Sequence, residues 1–279
     1  MEKVDKFDLG LSADVSMMMR TPIARRRLLR MGAMGIGMLL AGCSTNSLSG
    51  PGGAPPQANS SPTKVAASGA CVSVPGETNG PYPADGSNGK NVLTTSGIVR
   101  SDIRTSLGTK KIATGVPTTI EFTLINVNNN CAPLAGYALY AWHCDSAGLY
   151  SMYSNGVTGE EYCRGVQATD AAGKVTFQTI FPACYSGRWP HVHFEVYPSV
   201  DKATSNNNVV HTSQLAVAED ACKAVYNAVA EYSASIKNLS QLTLATDNVF
   251  GDGYTSELAT ISGDVASGYA MKLIVGVAI

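Results

Sequence analysis

From residue 71 to about residue 199 the chain runs in short apolar segments separated by Gly, Asn, Asp and Pro: NVLTTSGIV (91–99), TTIEFTLINV (118–127), YALYAW (137–142), KVTFQTI (174–180) and HVHFEVY (191–197). β-Branched and aromatic residues dominate these runs, which predicts the strands of an all-β sandwich or barrel. Residues 215–232 (LAVAEDACKAVYNAVAEY) break the alternation: Leu215, Cys222, Val225, Tyr226 and Val229 fall on one side at helical spacing, so one short helix or two should pack against the sheets. Alternation returns in 256–277, predicting late strands that rejoin the same core. The expected architecture is an all-β sandwich over residues 71–279 with a short helical insertion near its C-terminal part.

The N-terminal 70 residues follow a different logic. Residues 24–30 read ARRRLLR and the next twelve, MGAMGIGMLLAG, carry no charge, the order of a basic and then an apolar region in a secretory signal. A membrane span needs about 20 apolar residues, so this run is too short to cross. Arg25 and Arg26 resemble a twin-arginine export signal, and Leu40-Ala41-Gly42-Cys43 resembles a bacterial lipobox. The reading is a signal peptide over 1–42 and a lipidated Cys43, each buried acyl CH₂ adding roughly 0.8 kcal/mol of membrane affinity. Residues 43–70, rich in Ser, Gly, Pro and Ala, then read as a flexible tether. Ser44 after the lipidated cysteine points to the outer membrane, facing the periplasm.

Charge narrows the partners. The 279 residues carry 20 Lys and Arg against 21 Asp and Glu, and no basic cluster occurs beyond the first 30, which argues against nucleic acid. Six cysteines follow Cys43: Cys71, Cys131, Cys144, Cys163, Cys184 and Cys222. An even number in an exported chain suggests disulfides, with the pairing open and free buried thiols allowed. Without CxxC spacing, a structural zinc or iron–sulfur site is disfavoured.

Candidate chemistry centres on His191-Val192-His193. On a strand, the period of two sends both imidazoles to one face, their Cα atoms about 6.5 Å apart, close enough to share a metal such as Fe, Cu or Zn. Tyr185, Arg188 and Trp189 lie just upstream, and residues 142–153 read WHCDSAGLYSMY. A hard trivalent cation can draw a phenol's pKa down from about 10, so two tyrosines with two histidines would suit Fe(III) better than zinc. His143 reads as structural and His211, after Asn206-Asn207-Asn208, as loop surface. Tyr153, Tyr162 and Gln167 are candidate cavity residues.

Five stretches in order, ETNGPYP (77–83), GIVRSDIR (97–104), CAPLAGYALYAWHCDSAGLYSMY (131–153), RGVQATDAAGKVTFQTIFP (164–182) and CYSGRWPHVHF (184–194), resemble the intradiol ring-cleavage dioxygenases of the protocatechuate and catechol type, in particular an exported lipoprotein branch. The resemblance implies a β-sandwich holding one non-haem Fe(III). It places the tyrosine after W-x-x-D-x-x-G at Tyr150 and the one after T-I-x-P at Tyr185. The R-x-x-H-x-H signature supplies His191, His193 and the active-site Arg188. The implied reaction opens a catechol-type ring between its two hydroxyl-bearing carbons with O₂, giving a muconate-type diacid, with Tyr185 displaced by substrate and Tyr150 retained. The family's oligomers leave a homo-oligomer open.

Departures from the pattern are local. Pro182-Ala183 replaces Pro-Gly, and Arg188-Trp189-Pro190 replaces Arg-Pro-x. Cys163 and Cys184 each flank a site segment, and a disulfide between them is an expectation to test. The alternative class is a non-catalytic, lipid-anchored β-sandwich that binds metal or glycan.

Overall fold

The computed structural model describes residues 71–279, so the expectations for the signal, Cys43 and the tether lie outside the described residues. Within them nine strands form two sheets. The first carries β1 (Pro117–Asn126), β2 (Ala132–Pro133), β5 (Lys174–Ile180), β8 (Thr260–Asp264) and β9 (Gly268–Val277); the second carries β3 (Ala138–Trp142), β4 (Arg164–Ala168), β6 (His191–Tyr197) and β7 (His211–Ala216). In the first sheet β1 is paired antiparallel with β2 and β5 on one edge and parallel with β9 on the other. The second runs β4-β3-β6-β7, antiparallel throughout.

The sheets meet through the apolar alternate residues. Ile120, Phe122 and Leu124 of β1 are buried, and the Phe122 ring lies 5.2 Å from that of Phe194 on β6. Each such side chain removed from water contributes about 1.5–3 kcal/mol. Strand β6 is buried along its whole length. Since Phe194 faces the other sheet, the period of two turns His191, His193, Glu195 and Tyr197 to the opposite face, where loops cover them.

Two helices, α1 (Glu219–Ala228) and α2 (Ser233–Leu239), follow β7. The helix predicted from Leu215 starts later, because Leu215 and Ala216 complete the ladder of β7 against Val192 and His191. The segment 91–99 forms no strand: its amides are taken up locally, with Leu93 N–H donating to Asn91 Oδ1 and Thr95 N–H to the Val92 carbonyl, and Gly97 sits at φ +86°. Cys71 and Cys131 form a disulfide that ties the start of the domain to the β1–β2 turn. The expected Cys163–Cys184 bridge is absent. Both are buried free thiols, as are Cys144 and Cys222, and Cys184 Sγ lies 3.4 Å from the Arg188 carbonyl instead. Among the described residues no helix is long and apolar enough to cross a membrane.

Candidate functional site

The register of the second sheet builds the floor of the site. Arg164, Trp142, His193 and Gln214 stand opposite one another on β4, β3, β6 and β7. Trp142 lies flat on His193, ring centroids 4.9 Å apart and planes within 4°. Across the other side of His193 runs the turn of 77–83: a Cβ on Gly80, at φ +69°, would sit 3.2 Å from His193 Cε1, so only glycine lets this turn close down.

Tyr150 arrives on a tight turn after β3. Asp145 Oδ1 accepts from Ala147 N–H at 3.0 Å and Leu149 N–H at 2.9 Å, while Oδ2 accepts from the Tyr162 hydroxyl at 2.8 Å. Gly148, at φ +83°, packs where a Cβ would lie 3.2 Å from Tyr185 Cβ. That turn therefore sets both tyrosines side by side. Tyr82 stacks on Tyr150 at 4.6 Å and buries it.

Tyr185 is carried by the loop after β5, and the helical insertion anchors that loop. Tyr232 and Tyr226 donate to the carbonyls of Phe181 and Pro182 at 2.8 and 2.9 Å. Ser235 Oγ accepts from Cys184 N–H at 3.0 Å, and Asn238 donates to the Cys184 carbonyl at 2.8 Å. Ala183, in place of glycine, avoids positive φ.

These elements bring four predicted side chains together. His191 Nε2 lies 3.0 Å from His193 Nε2, 3.2 Å from Tyr150 Oη and 3.5 Å from Tyr185 Oη. Donors bound about 2.0–2.2 Å from one metal ion sit about 3 Å apart at right angles and about 3.5 Å apart at tetrahedral angles. The measured separations span that range. His191 Nδ1 faces the Trp189 carbonyl, to which only an N–H can bond, so Nε2 carries a lone pair. Burial and the Arg188 charge lower the His191 pKa to about 3, and burial with His191 puts His193 well below its ordinary value, so both rings are neutral at pH 7. Burial, reinforced by Tyr185, holds the Tyr150 phenol well above its ordinary pKa, so a phenolate here needs a cation beside it. Among the described residues no three of His, Cys, Asp and Glu gather as a metal cluster; this set draws half its donors from tyrosine.

Arg188, fully buried, opens the same face. Its Nε donates to Asp247 Oδ2 at 3.0 Å and its Nη2 to Gln214 Oε1 at 2.7 Å, while Nη1 is buried without a partner. Burial opposes its charge, but Tyr185 and Asp247 outweigh that and raise its pKa.

The architecture matches known structures. An intradiol ring-cleavage dioxygenase from Tetranychus urticae is 23% identical, with 75% of this chain and 95% of that chain covered and a TM-score of 0.58. A second crystallised dioxygenase is 22% identical over the same shares, with a TM-score of 0.59. The chain has the intradiol ring-cleavage dioxygenase fold. The family model described as Dioxygenase matches residues 102–233, a span of this dioxygenase fold that contains Tyr150, Tyr185, Arg188, His191 and His193. No curated protein matches.

The remaining candidates divide. His143 is structural, held between the Cys144 carbonyl and Thr179 Oγ1, both at 2.7 Å. His211 is not loop surface: it opens β7, half-buried near Phe194, because its backbone pairs with Val196 at the start of the ladder against β6. Gln167 is half-buried and its side-chain amide donates to the Thr176 carbonyl of β5. Tyr153 is fastened to Ala84 N–H and Asn88, and Tyr162 to Asp145. Sequence reasoning missed Gln214 and Asp247. Gln214 lies just before the segment read as helical and carries no signal of its own, and nothing marks Asp247 beyond an Asp positioned to cap a turn.

Proposed function

We propose that the protein is an intradiol dioxygenase that holds one non-haem Fe(III) through Tyr150, Tyr185, His191 and His193 and opens a catechol-type ring between its hydroxyl-bearing carbons with O₂, releasing a muconate-type diacid. The observation that carries this reading is the convergence of two phenolic oxygens and a second imidazole nitrogen within 3.5 Å of His191 Nε2. Ferric iron, when bound, would supply the positive charge that ionises the phenols and the redox coupling between catecholate and O₂.

The residues divide the remaining work by their burial. Tyr150 lies beneath Tyr82 and is 1% exposed, so it stays in place as substrate enters. Tyr185 is half-buried and can swing toward solvent, its Oη then taking a proton from a catechol hydroxyl. His191 and His193 are neutral at working pH and keep their lone pairs available without releasing protons. Arg188 keeps one guanidinium nitrogen uncommitted, and Nη1 would donate to negative charge growing on the substrate as its ring opens.

Oxygen uptake by iron-loaded protein with a panel of substituted catechols tests the reading. Under ¹⁸O₂ the acyclic product should carry both labelled atoms. Iron-loaded protein that consumes no oxygen with any of them would overturn it. From the leader sequence alone we also propose export and anchoring through Cys43 to the outer membrane; a Cys43→Ser protein that still fractionates with membranes would refute the anchor.

A further inference from the structure

We propose that Asp247 is the positioning residue of this centre, setting Arg188 for substrate and His191 for metal through one carboxylate. The inference rests on the functional reading above for its kinetic consequence, and on geometry alone for its structural one. Asp247 comes from the stretch between α2 and β8, beyond residues 102–233, and belongs to none of the sequence motifs.

Its carboxylate is shared among five donors. Oδ2 accepts from Arg188 Nε at 3.0 Å and Trp189 N–H at 2.7 Å. Oδ1 accepts from Val249 N–H at 2.9 Å and Phe250 N–H at 3.1 Å, with Arg188 Nη2 at 3.4 Å. Asp247 thus grips the Nε and Nη2 edge of the guanidinium, Gln214 holds Nη2 from another side, and Nη1 alone is left to reach substrate. The side chains of the ion pair are fully buried, so Arg188 has no solvent into which it could relax.

The second connection runs through one residue. Trp189 gives its N–H to Asp247, and its carbonyl accepts from His191 Nδ1. The indole Nε1 is pinned at 2.8 Å to the Val217 carbonyl. Both faces of this short stretch are therefore tied, and a shift of the carboxylate moves the acceptor that fixes the His191 tautomer and ring plane. Partners of this kind typically change metal affinity or activity by roughly 10–100-fold when lost.

The bland account is that Asp247 only caps the turn at Phe250–Asp252 through Val249 and Phe250. Asp247→Asn separates the two, because asparagine caps as well as aspartate but brings a neutral amide to Arg188 and Trp189. In the iron-loaded full chain the variant should lose roughly 10–100-fold in kcat with KM little changed, and its visible tyrosinate-to-iron band should shift from the wild-type position. Combined with Arg188→Lys, the loss should fall short of the product of the two single losses, since part of it acts through Arg188, while the band shift that reports on His191 persists. Wild-type kinetics and band, or losses that multiply in the double variant, would overturn the proposal.

If wild-type protein binds iron but opens no catechol, only the functional reading fails, and the band comparison still decides the His191 connection. Should Asp247→Asn not fold, a crystal structure of iron-loaded wild type with 4-nitrocatechol serves instead. Arg188 Nε should stay on Asp247 with Nη1 toward the ligand; an Arg188 swung off Asp247 would overturn the proposal.

Discussion

Gly148→Ala offers a direct link from backbone conformation to the site. Gly148 sits at φ +83° in the turn closed by Asp145 N–H to the Leu149 carbonyl at 2.8 Å. An L-residue in the left-handed region costs about 1–2 kcal/mol. For a domain of this size 1 kcal/mol shifts Tm by about 2–4 °C, so the variant should melt about 2–8 °C lower. The new Cβ would also lie 3.2 Å from Tyr185 Cβ and 3.7 Å from its Cα, so the Tyr185 backbone must give by a few tenths of an ångström. Gly156 is the matched control: it has φ +82°, but a Cβ there meets nothing within 4 Å. Differential scanning fluorimetry should record similar losses for Gly148→Ala and Gly156→Ala. Visible absorption of the iron-loaded proteins should change only for Gly148→Ala. Equal spectral changes in both, or none in Gly148→Ala, would refute the claim that this turn sets Tyr185.

Other consequences can be checked together. Burial and the charge of Glu77 raise the Glu257 pKa to about 9, so the folded protein keeps a proton that the unfolded chain releases above about 4.5. The stability this group contributes is complete below that lower value and is lost as pH rises through about 9, at most about 1.4 kcal/mol per pH unit. Glu257→Gln should therefore gain Tm relative to wild type between pH 5 and pH 8, and parallel melting curves would contradict this. Closing the loop between Cys71 and Cys131, 60 residues apart, removes about 4 kcal/mol of chain entropy from the unfolded state; urea unfolding of Cys71→Ser/Cys131→Ser should show a large loss, and an unchanged midpoint would deny it a stabilising role. His191→Ala should lose iron, measured by plasma emission on the purified protein; full occupancy would remove His191 from the ligand set.

Much of this was legible from local pattern. The alternation in 118–127 and 191–197 became β1 and β6, and the period of two put His191 and His193 on one face. Segment 91–99 misled because buried Val92, Leu93 and Ile98 look like a strand, while Asn91 and Gly97 supply turns that satisfy its amides. Cys163 and Cys184 were paired only because they flank site segments. Sequence proximity to a shared site does not set Cα geometry, and the chain joins Cys71 to Cys131 instead. Asp247 was invisible for a different reason: its role depends on a contact 59 residues away with Arg188, which no local periodicity encodes. Gln214 shares that reason, since its meaning comes from standing opposite His193 across the ladder.

The central claim is that four side chains from three stretches of chain, the turn after β3, the loop after β5 and β6, share one ferric ion. An anomalous difference map from crystals of the iron-loaded protein, collected on either side of the iron edge, addresses it directly. A single peak in contact with Tyr150, Tyr185, His191 and His193 is the predicted result. A peak elsewhere, or an edge signal from zinc or copper at this position, would contradict it.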